Sequence, residues 1–279
     1  MSYVFVNNDF FEEDKALIRT SDLALQRGYG VFDFFKTLNN KPLFLEDYLD
    51  RFFNSANEMF ITLSISRAQL KEIIFKLIEK NNIPNGGIRI NATGGYSPDG
   101  YTPVQGNIII QQQPLIQPSP EKIETGLRII TYEYMRDLPS VKSINYVMGV
   151  WLQQQLKKRQ MDDVLYFKNN IITELPRSNI FMITSEGKLL TPANNVLAGI
   201  TRKKILSFAR GVLPVLTTDI SPDELKNAEE VFITSTTKRI LPVVEIDGKR
   251  IGSGKPGKLT NKLYELLVET EQTETGMNY

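Results

Sequence analysis

The chain has 279 residues, 41% of them hydrophobic, with 33 Lys and Arg against 32 Asp and Glu. That length suits one large or two medium domains, and the balanced charge offers neither a nucleic-acid surface nor a basic membrane patch. The absence of Cys removes disulfides, thiolate nucleophiles and iron–sulfur sites; the absence of His removes the Ser-His triad, imidazole-dependent zinc sites and the commonest general base. Acid–base work near neutral pH then falls to Lys, Glu, Asp, Tyr or a cofactor, which gives a cofactor enzyme more weight than its base rate. No apolar run approaches the roughly 20 residues of a membrane helix. Residues 1–8 lack the charged-then-apolar pattern of a secretory signal, so the expected location is cytoplasmic.

In chain order, residues 3–7 alternate as an edge strand does, and 31–38 read as a more buried one. Arg27-Gly28-Tyr29-Gly30 is a glycine-punctuated turn between them. Asn39-Asn40 predicts a hairpin into residues 42–45. A helix is expected over 46–60, with Leu49, Phe52, Phe53 and Ala56 on one face, and another over 66–81 behind the capping box Ser66 to Gln69. Strands follow at 88–93 and 107–112, separated by the loop Gly94 to Tyr101. Residues 114–120, with three prolines and no periodicity, read as a linker. The remainder predicts strands at 126–132, 164–168, 171–173, 179–184, 188–191, 230–235, 243–246 and 250–251. Helices are predicted at 145–159, 201–210, after Ser221-Pro222, and at 259–270, with a frayed tail over 271–279. Hairpin-joined strands with packed helices make the expected class α+β, with mostly antiparallel or mixed sheets.

Five segments carry candidate chemistry. Gly252 to Lys258 has the glycine and lysine spacing of a phosphate-binding loop, but Leu259 stands where Ser or Thr must hold magnesium. A polar loop before the last helix is the reading adopted. Gly199-Ile200-Thr201-Arg202 opens a helix whose free N–H groups could take an anion, and Ser235-Thr236-Thr237 at a strand end could join it. Glu174 lies between two strands. Lys142, in Lys142-Ser143-Ile144-Asn145-Tyr146, precedes a helical segment.

Together these pieces resemble the fold type IV pyridoxal-phosphate transaminases, which include D-amino acid transaminases, branched-chain transaminases and aminodeoxychorismate lyases. The matching segments are Arg27 to Asp33, Leu45 to Arg51, Lys142 to Tyr146, Thr173-Glu174 with Ser178 to Phe181, Leu197 to Arg202, and Phe232 to Thr237 followed by Pro242-Val243. They stand in family order over nearly the whole chain. The resemblance implies a smaller N-terminal α/β domain, a larger C-terminal one, an active site at the domain interface, and a homodimer whose partner contributes to each site. The boundaries expected are 1–115, a linker over 116–122, and 123–279.

Carried over residue by residue, the resemblance makes Lys142 the covalent anchor of pyridoxal 5′-phosphate. Its freed amine would move a proton, which requires it to lose its charge near neutral pH. Glu174 would pair with the pyridine nitrogen and Tyr146 with the phenolic oxygen. Arg51, Ile200, Thr201, Ser235 and Thr236 would hold the phosphate, Arg177 would add a contact to it, and Ser178 and Asn179 complete the cofactor set. The Arg-x-His pair that grips the α-carboxylate in well-known bacterial D-amino acid transaminases is missing from Pro98-Asp99-Gly100-Tyr101, and Phe32 replaces an assisting tyrosine. Arg27 and Arg89 are therefore the expected carboxylate clamp. The glycine-rich loop also resembles a less usual subgroup of the D-amino acid enzymes. The implied reaction moves an amino group from a D-amino acid such as D-alanine or D-glutamate to a 2-oxo acid such as 2-oxoglutarate. Branched-chain L-amino acid transfer, aminodeoxychorismate lysis and cofactor binding without turnover are the alternatives.

Overall fold

The structure is a computed structural model and describes residues 2–276. The chain forms two compact units. The first holds the residues up to Ile116, the short segment Val141–Asn145, and residues 274–276; the second holds Gln117–Ser140 and Tyr146–Thr273.

In the first unit the strands are β1 (Tyr3–Val6), β2 (Asp9–Glu12), β3 (Gly30–Leu38), β4 (Lys41–Pro42), β5 (Gly86–Thr93) and β6 (Ile108–Pro114). They form one sheet in the order β2-β1-β6-β5-β3-β4, with every neighbouring pair antiparallel. The first strand is not the edge that its alternation suggests. The chain reverses at Asn7 (φ 56°), so β2 closes one side of β1 while β6 closes the other. Three of its four side chains are accordingly buried.

The helices of this unit are α1 (Leu23–Arg27), α2 (Leu45–Glu58) and α3 (Arg67–Asn81). Leu45, Leu49, Phe52 and Ala56 recur at helical spacing in α2 and are all buried, and Glu46 and Asp47 favour its positive N-terminal end. Full burial of Phe52 alone is worth about 1.5–3 kcal/mol. The expected capping box at Ser66 and Gln69 is present with both reciprocal hydrogen bonds. Asn39 and Asn40 both take positive φ and turn β3 into β4, which ends early because Phe44 enters α2 in the left-handed region.

In the second unit the strands are β7 (Leu127–Glu133), β8 (Asp163–Lys168), β9 (Ile171–Ile172), β10 (Asn179–Ile183), β11 (Leu189–Pro192), β12 (Val215–Thr218), β13 (Glu230–Ser235), β14 (Arg239–Ile246) and β15 (Lys249–Arg250). The sheet runs β12-β11-β10-β13-β14-β7-β8-β9, with β15 on β14. It is mixed: β12 with β11, β14 with β7 and β7 with β8 are parallel pairs. The class is therefore α+β as expected. The helices are α4 (Pro120–Thr125), α5 (Val147–Arg159), α6 (Ile200–Ala209), α7 (Pro222–Lys226) and α8 (Lys258–Thr275). Phe181 and Phe232 stack in the core at 5.0 Å between centroids.

Two further expectations are corrected. Residues 145 and 146 are not helical, because α5 begins at Val147 with Tyr146 as its N-cap. The tail is not frayed through 275: α8 continues to Thr275, and Glu271 is 4% exposed and accepts from Arg239 Nε at 2.8 Å. Residues 277–279 of that expectation lie outside the described residues. Among the described residues no helix is long and apolar enough to cross a membrane.

Candidate active site

Lys142 is placed by backbone pairing. Its segment lies along the start of β3 on the side away from β5: Phe32 N–H donates to Lys142 O at 2.9 Å, and Ile144 N–H to Gly30 O at 3.0 Å. The lysine's own N–H donates to Ser55 Oγ of α2 at 3.1 Å. Glycine is needed at position 30, since a Cβ there would stand 2.9 Å from Ala92 O and 3.0 Å from Ile144 Cδ1. This explains one glycine of the Arg27-Gly28-Tyr29-Gly30 turn. The other, Gly28, ends α1 at φ 65°.

The Lys142 ammonium lies 4.6 Å from the centroid of the Phe32 ring, and the Arg89 guanidinium lies 4.7 Å from the same centroid. Arg89 sits opposite Phe34 across the β3–β5 ladder, so β3 and β5 set its distance. Asp33 is the next residue of β3 and alternation sends it to the other face. There Arg51 of α2 holds it with Nε at 2.9 Å and Nη2 at 2.7 Å, and both side chains are buried. The guanidinium of Arg51 also stands 5.3 Å from the Tyr48 ring. Asp33 is not among the expected site residues, although a carboxylate inside an apolar strand is the kind of signal that marks a buried ion pair. Arg27 is exposed in the last turn of α1, and its Nε donates to Gly100 O at 3.0 Å. It is thereby tied to the Gly94 to Tyr101 loop and not joined to the cluster of Lys142, Phe32 and Arg89.

In the second unit Glu174 is 5% exposed and heavily engaged. Arg136 Nε donates to its Oε1 at 2.8 Å, and Arg136 Nη2 stands at 2.8 Å from the same oxygen. Leu197 N–H donates to Oε2 at 3.0 Å, with Asn179 Nδ2 at 3.4 Å. Arg136 also donates to Pro139 O at 2.6 Å. Sequence reading misses Arg136, because a lone arginine after a strand carries no pattern. Behind it the Tyr134 and Tyr166 rings meet edge to face at 4.9 Å, and burial pushes the Tyr166 phenol well above its usual range. Burial also lowers the Arg202 guanidinium from its ordinary value, opposed by the charge of Glu174.

The remaining expected residues fall around the same sheet end. Gly199 is the N-cap of α6 and has no side chain to cap it. The first helical hydrogen bond is Lys203 N–H to Gly199 O at 2.8 Å, which leaves the N–H groups of Ile200, Thr201 and Arg202 as helix-start donors. Ser235 Oγ accepts from Lys238 N–H at 3.2 Å in the turn that also contains Thr236. Ser178 Oγ is buried without a hydrogen-bond partner, and Arg177 beside it is exposed in the turn where Leu175 bridges Ser178. Tyr146 stands at the N-cap of α5.

These residues fit the cofactor expected. The first unit offers an amine on a fixed backbone; the second offers a buried acceptor, a helix start suited to a dianion, and an orphaned hydroxyl. The phosphate-loop look-alike offers none of this. Glu230 accepts from Leu259 N–H at 3.1 Å, Thr260 N–H at 2.7 Å and Thr260 Oγ1 at 2.7 Å, so the start of α8 is already occupied by a carboxylate.

Comparison with known proteins agrees. The family model described as Amino-transferase class IV matches residues 30–246. A D-alanine aminotransferase of Staphylococcus haemolyticus is 30% identical over 95% of this chain and 96% of its own. One from Bacillus licheniformis is 31% identical over 98% of both chains. A branched-chain amino acid aminotransferase from Escherichia coli shares the fold at a TM-score of 0.88 and 23% identity, over 100% of this chain and 96% of that one. The chain belongs to the class IV aminotransferases, pyridoxal-phosphate enzymes that move an amino group between an amino acid and a 2-oxo acid.

Proposed function

We propose that this aminotransferase takes a D-amino acid, D-alanine or D-glutamate, as amino donor and a 2-oxo acid such as 2-oxoglutarate as acceptor. The observation that carries the reading is the meeting of Lys142 and Arg89 on the Phe32 ring. Both pack on that one ring, so a single residue of β3 holds both an amine and a guanidinium suited to a carboxylate. The relatives named D-alanine aminotransferase support the choice of enantiomer.

When bound, pyridoxal 5′-phosphate supplies the electron sink for the carbanion formed at the substrate's Cα. Lys142 would anchor it, and its amine would hold and move the proton of the substrate's Cα. Glu174, oriented by Arg136, would accept from the pyridine nitrogen and keep it protonated. Tyr146 serves the phenolic oxygen. Arg51, the N–H groups of Ile200 and Thr201, and the hydroxyls of Thr201, Ser235 and Thr236 hold the phosphate, with Arg177 adding charge and Ser178 a hydroxyl. Arg89 takes the α-carboxylate, and Arg27 the second carboxylate of glutamate or 2-oxoglutarate. The enzyme is read as a homodimer. Val147, Val150 and Trp151 recur at helical spacing on α5 and are 74%, 68% and 55% exposed, which suits a surface that a second copy covers.

Half-reaction kinetics test the donor. The cofactor absorption of the holoenzyme should bleach with D-alanine or D-glutamate at least tenfold faster than with their L-enantiomers. Bleaching confined to L-valine and L-leucine would replace this reading with branched-chain transfer. No bleaching by any amino acid would leave a cofactor-binding protein without turnover.

A further inference from the structure

We infer that Asn179 is a positioning residue that sets the separation between the Glu174 carboxylate and the start of α6, and that Gly199 is a glycine in order to leave room for it. The inference rests on the proposed reading in which Glu174 serves the pyridine nitrogen and α6 the phosphate.

Asn179 opens β10, where its pairing with Thr234 of β13 fixes its backbone. The side-chain NH2 donates to Leu197 O at 3.0 Å and reaches Glu174 Oε2 at 3.4 Å. Both partners are acceptors, so the amide has only one workable orientation. Leu197 N–H returns to Glu174 Oε2 at 3.0 Å, and Gly199 N–H closes on Leu197 O at 2.8 Å. A continuous set of contacts thus runs from the carboxylate to the N-cap of α6.

With the NH2 so committed, the amide oxygen faces Gly199. A Cβ built at Gly199 would stand 2.0 Å from Asn179 Oδ1 and 3.2 Å from its Cγ. The φ of Gly199 is −64°, which any residue adopts, so backbone conformation does not require glycine here. Space for the Asn179 amide does.

The reason to fix this separation lies in the ligand. A pyridine ring with a phosphate arm has a nearly fixed length, so the groups meeting its two ends must be held within about 0.5 Å of the matching separation. The segment from Ala193 to Gly199 is irregular, with Asn195 at φ 57°. Through the Asn179 amide, its last turn is tied to a core strand.

The test uses the apoenzyme of the wild type, Asn179→Ala, Gly199→Ala and the double variant. Dissociation constants for pyridoxal 5′-phosphate and for pyridoxal are measured by equilibrium dialysis, with thermal melting as a check on folding. In Asn179→Ala the ratio of the pyridoxal constant to the pyridoxal 5′-phosphate constant should fall about tenfold, because the gain from the phosphate depends on the held separation. Gly199→Ala should reproduce the loss by displacing the amide. The double variant should bind no more weakly than Asn179→Ala alone, since removing the amide removes the clash. Equal weakening of both ligands in Asn179→Ala, no weakening at all, or additive losses in the double variant would overturn the inference. If Gly199→Ala fails to fold, the ligand ratio in Asn179→Ala decides alone. A wild type that failed to bind pyridoxal 5′-phosphate would instead defeat the proposed function.

Discussion

The Lys142 ammonium rests 4.6 Å from the centre of the Phe32 ring, on a side chain whose own backbone N–H holds the Lys142 carbonyl at 2.9 Å. One residue of β3 therefore fixes the lysine at both its backbone and its charge. Contacts of a cation with an aromatic face are worth about 0.5–2 kcal/mol, according to solvation. Phe32→Leu keeps the bulk and removes the ring. It should raise the Michaelis constant for the amino acid roughly threefold to tenfold, because Arg89 leans on the same ring. Phe32→Tyr should stay within about twofold of the wild type. Steady-state kinetics at saturating cofactor check this, and unchanged constants in Phe32→Leu would remove the ring from the site.

Asp33 and Arg51 form a buried pair with two hydrogen bonds, at 0% and 9% side-chain exposure. Removing the Asp33 carboxylate takes from the buried Arg51 guanidinium the charge it is paired with, at a cost of about 3–5 kcal/mol. Asp33→Asn should therefore lower the urea midpoint sharply. Asp33→Leu with Arg51→Met should recover most of that stability while still losing cofactor affinity. A double variant as unstable as the single one would show that the pair does more than neutralise itself.

Asp99 organises the loop that holds Arg27. Its carboxylate accepts from Thr102 Oγ1 at 2.6 Å, Thr102 N–H at 2.7 Å, Tyr101 N–H at 2.9 Å and Ser97 Oγ at 2.9 Å. The Thr102 hydroxyl first, then the backbone donors, hold this carboxyl far below the usual aspartate range. A depressed folded value contributes stability that is fully present above the unfolded value of about 3.9 and is lost as pH falls through the folded one. Amide exchange at Tyr101 and Thr102 should stay protected at neutral pH and lose protection only in acid below about pH 4. In Asp99→Ala the Thr102 amide should exchange freely at neutral pH, while the Tyr101 amide keeps only its bond to Ser97 Oγ at 3.2 Å. Protection of Thr102 that survives this substitution would mean that other contacts shape the loop.

Glu271 meets Arg239, which takes φ 53° at the start of β14. Burial works against the Arg239 charge, yet Glu271 leaves that guanidinium above its ordinary value. Glu271→Ala should destabilise the protein by about 2 kcal/mol, less than a fully buried pair would cost, because Arg239 is 24% exposed. Truncation after residue 270 should cost at least as much. Denaturant unfolding measures both, and a neutral truncation would restore the frayed tail expected from composition.

Much of the local structure is legible because it is written in neighbouring residues. The capping boxes at Ser66 and Ser221, the paired asparagines at 39–40 and 169–170, and the apolar stripe of α2 each carry their own signal within a few positions. The tail misleads for the same reason: residues 271–279 are polar in composition, and the partner that buries Glu271 is 32 residues away. The site is legible as a set of segments in order. What those segments touch is not. Asp33 under Arg51, Arg136 on Glu174 and the fit of Asn179 against Gly199 all join residues whose separation in sequence carries no pattern.

The sequence by itself determined the class of fold, the chemistry open to a chain without Cys or His, and the family, because periodicity, composition and motif order are properties of the chain alone. Only the tertiary structure decided which charges neutralise one another. It gave the start of α8 to Glu230 while leaving the start of α6 without a side-chain cap, although a glycine stands immediately before each. It also tied Arg27 to the Gly100 carbonyl and set Arg89 over Phe32, although both arginines read alike in sequence. The physical reason is range. Backbone preference acts over a few residues, whereas an ion pair or a ring contact needs two groups within a few ångströms, and only the folded chain sets that distance.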